Sequence, residues 1–306
     1  MKNDVKKIQS QEKRQMTKIG IIGTGILGNA VGLNLLKSGF DLTVYNRTKE
    51  KTNELKNNGA KVVDSPKNVA ENSELIIIVV KDADSVKKVS FGKNGIIEGK
   101  HEGLTVADMS TINPVESKKI SKKFLDYKII KLDTPVMGGP NVAITGELVL
   151  MASGDKKTFD SFKNVFEKIA NKIFFLEGDG TAHLVKLSMN LQITMLALAL
   201  SEGITLVRSA NVDPKIFLDI LNSTYFKTGM SENKAYKMIQ DEFDATFTLA
   251  NLKKDISTIT DTAKSFGIKL PMIKKAEEVY NEALKKGFGD IDYTGILAYI
   301  KKVNKS

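Results

Sequence analysis

Lys186 and Asn190 stand four residues apart in GDGTAHLVKLSMNLQITMLALAL, a stretch whose other side chains are mostly apolar. At helical spacing the pair shares one face, so an amine and an amide can act on the same bound group. An ammonium on an apolar helix loses solvation, and that loss lowers its pKa toward values useful for proton transfer. Two readings follow: a proton donor and acceptor aimed into a cleft between domains, or a lysine that snorkels to the surface. His183, one turn earlier, is either a rival acid and base or a residue packed near the helix start.

A second pattern binds rather than reacts. Gly23, Gly25 and Gly28 form GxGxxG directly after the apolar run Ile19–Ile22. Their roles would be a tight turn, a close approach of backbone to phosphate, and close packing of helix on strand. Thr24, Ile26 and Leu27 complete the turn, where the first N–H groups of a helix offer partial positive charge to a pyrophosphate. After the next strand, Leu42–Tyr45, an NAD-binding chain usually carries an acid for the ribose 2′-OH; this chain has Asn46, Arg47 and Thr48. Arg47 is either a partner for a 2′-phosphate, which makes the expected cofactor NADP(H), or a solvated surface charge.

Further polar groups sit at predicted strand ends. Val80 and Lys81 close the run ELIIIVV, where doubly wound sheets bind ligands. In DMSTINP the hydroxyls of Ser110 and Thr111, with the helix-start N–H groups, hold a substrate carboxylate or the nicotinamide ribose, or simply cap a helix. In DTPVMGGP the pair Gly138 and Gly139 leaves N–H groups open to a carboxylate or carbonyl oxygen, or shapes a turn. In FTLANLKKD, beside Phe247, Lys254 could reach an anion of cofactor or substrate and Asp255 could orient Lys186, although KKD is commonly just a solvated helix face.

The elements that must position these residues fall into two textures. Predicted strands at Ile19–Ile22, Leu42–Tyr45, Lys61–Val63, Glu74–Val80, Leu104–Asp108, Lys128–Leu132, Leu148–Met151 and Lys172–Leu176 are interleaved with helices through Leu27 to Leu36, Pro114–Leu125 and Lys157–Ala170. From Thr181 to Asn211 the chain reads as one long helix, apolar nearly all round and therefore buried. Asp213 and Pro214 start another helix, with more over Ser231–Ile239, Leu249–Phe266 and Met272–Lys286. The expected class is α/β: a Rossmann-type doubly wound sheet domain over residues 16–180, then an all-α helical domain over residues 181–306, after a disordered extension of residues 1–15.

Composition narrows the chemistry. A chain of 306 residues can bury a full core and has room for about two domains. Without cysteine there is no disulfide framework, thiolate metal site or thiol nucleophile, and two histidines offer little to a metal, so none is expected. The net charge of +10 suits a small anionic substrate, but 46 basic residues are interspersed with 36 acidic ones and no basic motif carries interleaved aromatics, so nucleic acid is not an expected partner. Residues 1–15 lack the apolar core of a secretory signal. The apolar stretch Leu187–Ser201, interrupted by Gln192 and Thr194, is shorter than the roughly 20 residues that cross a bilayer, so a cytoplasmic protein without membrane association is expected.

Taken together, GIIGTGILG, DMSTINP, DTPVMGG followed by GEL, GDGTAHLVKLSMN and FTLANLKKD resemble, in order and spacing, the β-hydroxyacid dehydrogenase family, from about Met16 to the end. The resemblance implies an NADPH-dependent oxidoreductase that moves a hydride between NADP(H) and a small hydroxyacid, semialdehyde or keto acid of the glyoxylate, succinic semialdehyde or 3-hydroxyisobutyrate type. It implies Lys186 as the catalytic lysine with Asn190 as its partner. Ser110, Thr111, Gly138 and Gly139 would surround substrate and nicotinamide, Lys254 would touch the cofactor, and Phe247 and Asp255 would line the site. It also implies a homodimer or homotetramer assembled through the helical domain. Met137 stands where the family's PVSGG has serine, and Met189 replaces the first of a usual asparagine pair. An imine reductase shares this fold but generally lacks the lysine; a non-catalytic NADP-binding interaction protein is the alternative from another class.

Overall fold

The computed structural model describes residues 17–304, so the expected extension over residues 1–15 lies outside it. Nine strands are present among the described residues: β1 (Ile19–Ile22), β2 (Leu42–Tyr45), β3 (Lys61–Val62), β4 (Leu75–Ile78), β5 (Thr105–Asp108), β6 (Ile130–Asp133), β7 (Val136–Met137), β8 (Leu148–Ser153) and β9 (Ala170–Leu176). Runs rich in Ile and Val without alternation form the middle of the sheet, and β1, β4 and β5 are buried along their whole length, as parallel strands covered on both faces must be. The sheet runs β3-β2-β1-β4-β5-β6-β8-β7, with β9 beside β8. Its first six strands are parallel in the 3-2-1-4-5-6 order of a doubly wound dinucleotide-binding fold, and the direction of winding reverses between β1 and β4.

Helices of this unit are α1 (Ile26–Lys37), α2 (Asn53–Asn57), α3 (Pro66–Ala70), α4 (Ala83–Phe91), α5 (Pro114–Asp126), α6 (Pro140–Ala143), α7 (Lys156–Ser161) and α8 (Lys163–Ile169). Val31 and Leu35 of α1 and Phe166 of α8 pack into one core with Ile21, Ile77 and Leu150. Several expected bounds move, and three have a visible cause. The strand expected through Val80 ends at Ile78, because Val80 turns its N–H to the Ser110 hydroxyl. The helix expected over Lys157–Ala170 breaks at Phe162, whose backbone leaves helical geometry (φ −110°, ψ 13°) and whose ring packs against the core. The strand expected from Lys128 starts at Ile130, because Lys128 adopts a left-handed turn conformation at φ 61°.

The second unit contains α9 (Thr181–Ser209), α10 (Pro214–Asn222), α11 (Gly229–Asn233), α12 (Ala235–Ile239), α13 (Leu249–Ser265), α14 (Pro271–Lys285) and α15 (Ile296–Val303). Leu187 and Ala197 of α9 share a core with Leu252, Ile256 and Tyr280, while Leu200 and Ile204 share another with Leu218 and Met238. The single helix expected over Ser231–Ile239 is broken at Lys234, whose ammonium reaches both Asp292 oxygens at 2.9 and 2.8 Å. That carboxylate also accepts from the N–H and hydroxyl of Thr246, fixing the approach to α13. At 29 residues, α9 is long and apolar enough to cross a membrane by length and composition alone, a test that the core helix of a soluble protein also passes.

Compactness divides the described chain at three points rather than one. One unit extends to Ser110 and from Ser117 to Ala182; the other holds Thr111–Glu116 together with the chain from His183. The sequence reading had kept residues 111–116 with the sheet. Their assignment to the helical unit follows contacts such as that of the Lys254 ammonium, which donates to the Thr111 carbonyl at 3.0 Å.

Candidate active site

The glycine turn lies where the winding of the sheet reverses. Gly23 has φ +102°, and a Cβ there would lie 2.1 Å from the Val79 carbonyl oxygen. A Cβ on Gly28 would lie 2.0 Å from the Gly23 carbonyl, so these two positions close the turn on β4 and α1 on the turn. Gly25 differs: a Cβ there would meet nothing within 4 Å. It is the N-cap of α1, with no side-chain cap and no acidic residue in the first turn. Open space before uncapped helix N–H groups suits an anion, so the cradle fits a dinucleotide pyrophosphate. Half-buried Leu27 packs against the core, and Ile26 is exposed.

Thr24 is buried and donates its hydroxyl to the Lys51 carbonyl at 2.8 Å. Asn46 accepts from the Thr24 N–H at 3.1 Å and donates to the Thr48 carbonyl at 2.8 Å, so its side chain braces the loop after β2 against the glycine turn. Arg47 and Thr48 are exposed, as is Lys81, while Val80 is half-buried. Ser110 is buried; its hydroxyl accepts from Val80 N–H at 3.1 Å, and its own N–H donates to Asp108 at 3.0 Å. The helix cap in DMSTINP comes from Asn113, whose side chain accepts from Val115 N–H at 2.8 Å. Gly138 (φ +120°) and Gly139 are exposed, and a Cβ on Gly139 would meet nothing within 4 Å.

The helical unit gathers Lys186, Asn190, Lys254, Asp255 and Thr111. Asn190 is buried and donates its amide to Asp255 at 2.7 Å. Its amide oxygen is buried without a hydrogen-bond partner among the described residues, an acceptor still to be satisfied. Asp255 is buried and ion-paired with Lys254. Burial of the Lys186 amine pulls its pKa down to about 8; Asp255 opposes that shift and Lys254 adds to it. His183, one turn back, is fully buried. Phe247 is half-buried and meets Tyr293 edge-on, with ring centroids 6.0 Å apart.

One group escaped the sequence reading. Lys131 of β6 is fully buried between Asp133 and Asp108, 3.6 Å from the latter. Burial alone would lower its pKa, but the two carboxylates outweigh burial and leave it raised. The available signal was a lysine and an aspartate inside IIKLD, a strand too central to place either in water. A cavity of about 560 Å³ lined by Lys18, Asp41, Lys61, Glu74 and His101 opens at the amino ends of the strands. Ligands of doubly wound sheets bind at the carboxyl ends, so the glycine turn outranks it.

The family model described as the NAD binding domain of 6-phosphogluconate dehydrogenase matches residues 18–178, and that described as NAD-binding of NADP-dependent 3-hydroxyisobutyrate dehydrogenase matches residues 180–300. Glyoxylate/succinic semialdehyde reductase 1 of Arabidopsis thaliana is 30% identical over 93% of this chain and 98% of its own. The 2-hydroxy-3-oxopropionate reductase of Escherichia coli is 29% identical over 92% of this chain and 96% of its own. A crystal structure of 3-hydroxyisobutyrate dehydrogenase from Salmonella typhimurium shares the fold with a TM-score of 0.84 at 24% identity, covering 92% of this chain and 99% of that one. With both halves of the chain matched in register, the protein belongs to the β-hydroxyacid dehydrogenase family of NAD(P)-dependent hydroxyacid dehydrogenases and reductases.

Proposed function

We propose that the chain is an NADPH-dependent reductase of a small anionic aldehyde or keto acid, working reversibly as a hydroxyacid dehydrogenase. The observation that carries this reading is the Lys186 amine, brought to about 8 by burial beside the Asn190–Asp255 pair. A group with that pKa exists in both protonation states near neutral pH, the condition for moving a proton in either direction. When bound in the Gly23–Gly28 cradle, the cofactor supplies or takes up the hydride.

The side chains do the rest. In reduction, the Lys186 ammonium donates a proton to the carbonyl oxygen of the substrate as negative charge develops there. Asn190, held by Asp255, offers its unsatisfied amide oxygen to an N–H of that lysine or to the hydroxyl of the alcohol. Ser110, Thr111 and the exposed backbone at Gly138 and Gly139 would grip the substrate carboxylate. For the cofactor, Arg47 is an exposed cation just past β2, where an acid would repel a 2′-phosphate. The same reading expects a cytoplasmic homodimer or homotetramer joined through the helical unit, where Ile216, Ile220 and Phe226 are largely exposed.

The test is NADPH consumption with glyoxylate, succinic semialdehyde, methylmalonate semialdehyde and tartronate semialdehyde, repeated with NADH. At least one substrate should be reduced faster with NADPH, and Arg47→Ala should raise the KM for NADPH by about tenfold while leaving NADH unaffected. Equal use of both cofactors by the unaltered chain would overturn the NADPH assignment. Inertness toward all four compounds would count against the reductase reading itself.

A further inference from the structure

Lys131 takes no part in the proposed reaction, yet among the described residues its side chain is fully buried. A buried ion pair is seldom the most stable filling for such a position, since apolar side chains of similar volume often do as well or better. What it does provide is geometry. Among the charged side chains shown against it, Asp133 comes from its own strand and Asp108 from β5. The other polar neighbour is Ser117 of α5, whose hydroxyl accepts from Lys131 at 2.8 Å and donates to Asp133 at 2.6 Å.

Each carboxylate holds a different part of the binding edge. Asp108 accepts from Ser110 N–H at 3.0 Å, and Ser110 in turn accepts from Val80 N–H at 3.1 Å, so one oxygen fixes the loops after β4 and β5. Asp133 accepts from Gly180 N–H at 2.8 Å and from the Ser153 hydroxyl at 3.2 Å, and Ser153 accepts from Ala182 N–H at 3.3 Å. It therefore serves the otherwise unpaired N–H groups where α9 begins. With no ammonium between them, two buried carboxylates this close repel each other.

We propose that Lys131 is a positioning residue: its ammonium lets Asp108 and Asp133 stand ionised side by side, so that together they set the Val80, Ser110 and Gly180 segments at the carboxyl edge of the sheet. The proposal rests on the reductase reading only where kinetics are measured. Its direct readout is amide hydrogen exchange, which needs no substrate.

In Lys131→Met the two carboxylates lose the ammonium between them. One then takes up a proton at low pH and loses it as pH rises, so the loops are held at about pH 6 and loosened at about pH 8.5. The amides of Val80, Ser110 and Gly180 should exchange at least about tenfold faster at the higher pH, relative to Ile77 of β4 in the same molecule, with no such change in the unaltered protein. The double variant Lys131→Met/Asp108→Asn restores the original net charge of the cluster, and Asn can still accept from Ser110. Its exchange should lose the pH dependence, with Gly180 protected to within about twofold of the unaltered protein. This variant also serves if the single one fails to fold. With a working substrate, Lys131→Met at the higher pH should raise KM about tenfold more than it lowers kcat. The idea is overturned if the single variant keeps all three amides protected, if Ile77 loosens equally, or if the double variant retains the pH dependence. Should the unaltered chain reduce no substrate, the exchange result still decides this proposal.

Discussion

Lys131 in the sheet unit and Lys186 in the helical unit are the same residue type under the same desolvating pressure, and they end on opposite sides of the ordinary lysine pKa. Lys131 has two carboxylates against it and is raised. Lys186 is held up by Asp255, a carboxylate already paired with the Lys254 cation, yet is lowered to about 8. The local ratio of anions to cations, more than depth of burial, decides whether an ammonium is locked on or free to give up its proton. The first arrangement suits a strut and the second suits proton transfer.

The largest expected effect comes from exchanging each lysine for methionine. Lys186→Met should cut turnover by about 10²- to 10⁴-fold, the typical contribution of a positioned acid or base, with binding of the reduced nicotinamide cofactor unchanged by fluorescence titration. It should not lower stability at neutral pH. A lysine whose folded pKa lies below its unfolded value opposes folding while charged, and that opposition disappears only as pH rises from about 8 toward 10.5. Lys131→Met should instead cost about 3–5 kcal/mol at neutral pH in urea melts, because it leaves buried charge without its partner. Similar melts for the two variants would erase the distinction.

Asp255→Asn probes how far one carboxylate supports Lys186. In the proposed reaction, reduction uses the protonated amine, so its rate should fall as pH rises through about 8, while the reverse oxidation should rise over the same interval. Asp255 holds the pKa up, so its loss lets the pKa drop and moves the alkaline limb of reduction to lower pH. Turnover near pH 8 should fall by about tenfold and recover as pH is lowered. A uniform loss at every pH would mean that Asp255 acts through the fold alone.

The contrast between the two lysines was only half legible in the sequence. Lys186 stood out because helical period placed it on an apolar stretch with Asn190 one turn on, a relation that backbone geometry alone enforces. The parallel sheet was legible for a similar reason, since ELIIIVV admits few other roles. Lys131 was not, because its meaning depends on Asp108 from a different strand and on Gly180, 47 residues beyond Asp133. The breaks at Phe162 and Lys234 were hidden likewise: both segments have helical composition, and the interruption comes from core packing in one case and from Asp292 in the other. Short elements such as α6 and β7 lie below the length at which periodicity can register.

Lys254→Met gives the smallest and most discriminating result. Lys254 lowers the Lys186 pKa by like-charge repulsion and also shares Asp255 with it, so removing it takes away the repulsion and leaves the carboxylate to Lys186 alone. Both changes push the Lys186 pKa up from about 8 toward its ordinary value. The alkaline limb of reduction should move to higher pH, making the variant about two- to fivefold less inhibited than the unaltered protein near pH 9 when rates are normalised at pH 7. Thr111 loses the donor to its carbonyl, which lowers the absolute rate without changing the position of the limb. Asp255→Asn and Lys254→Met must therefore shift the profile in opposite directions. A shift of the same sign in both would show that the charges around Lys186 shape the helices rather than the proton.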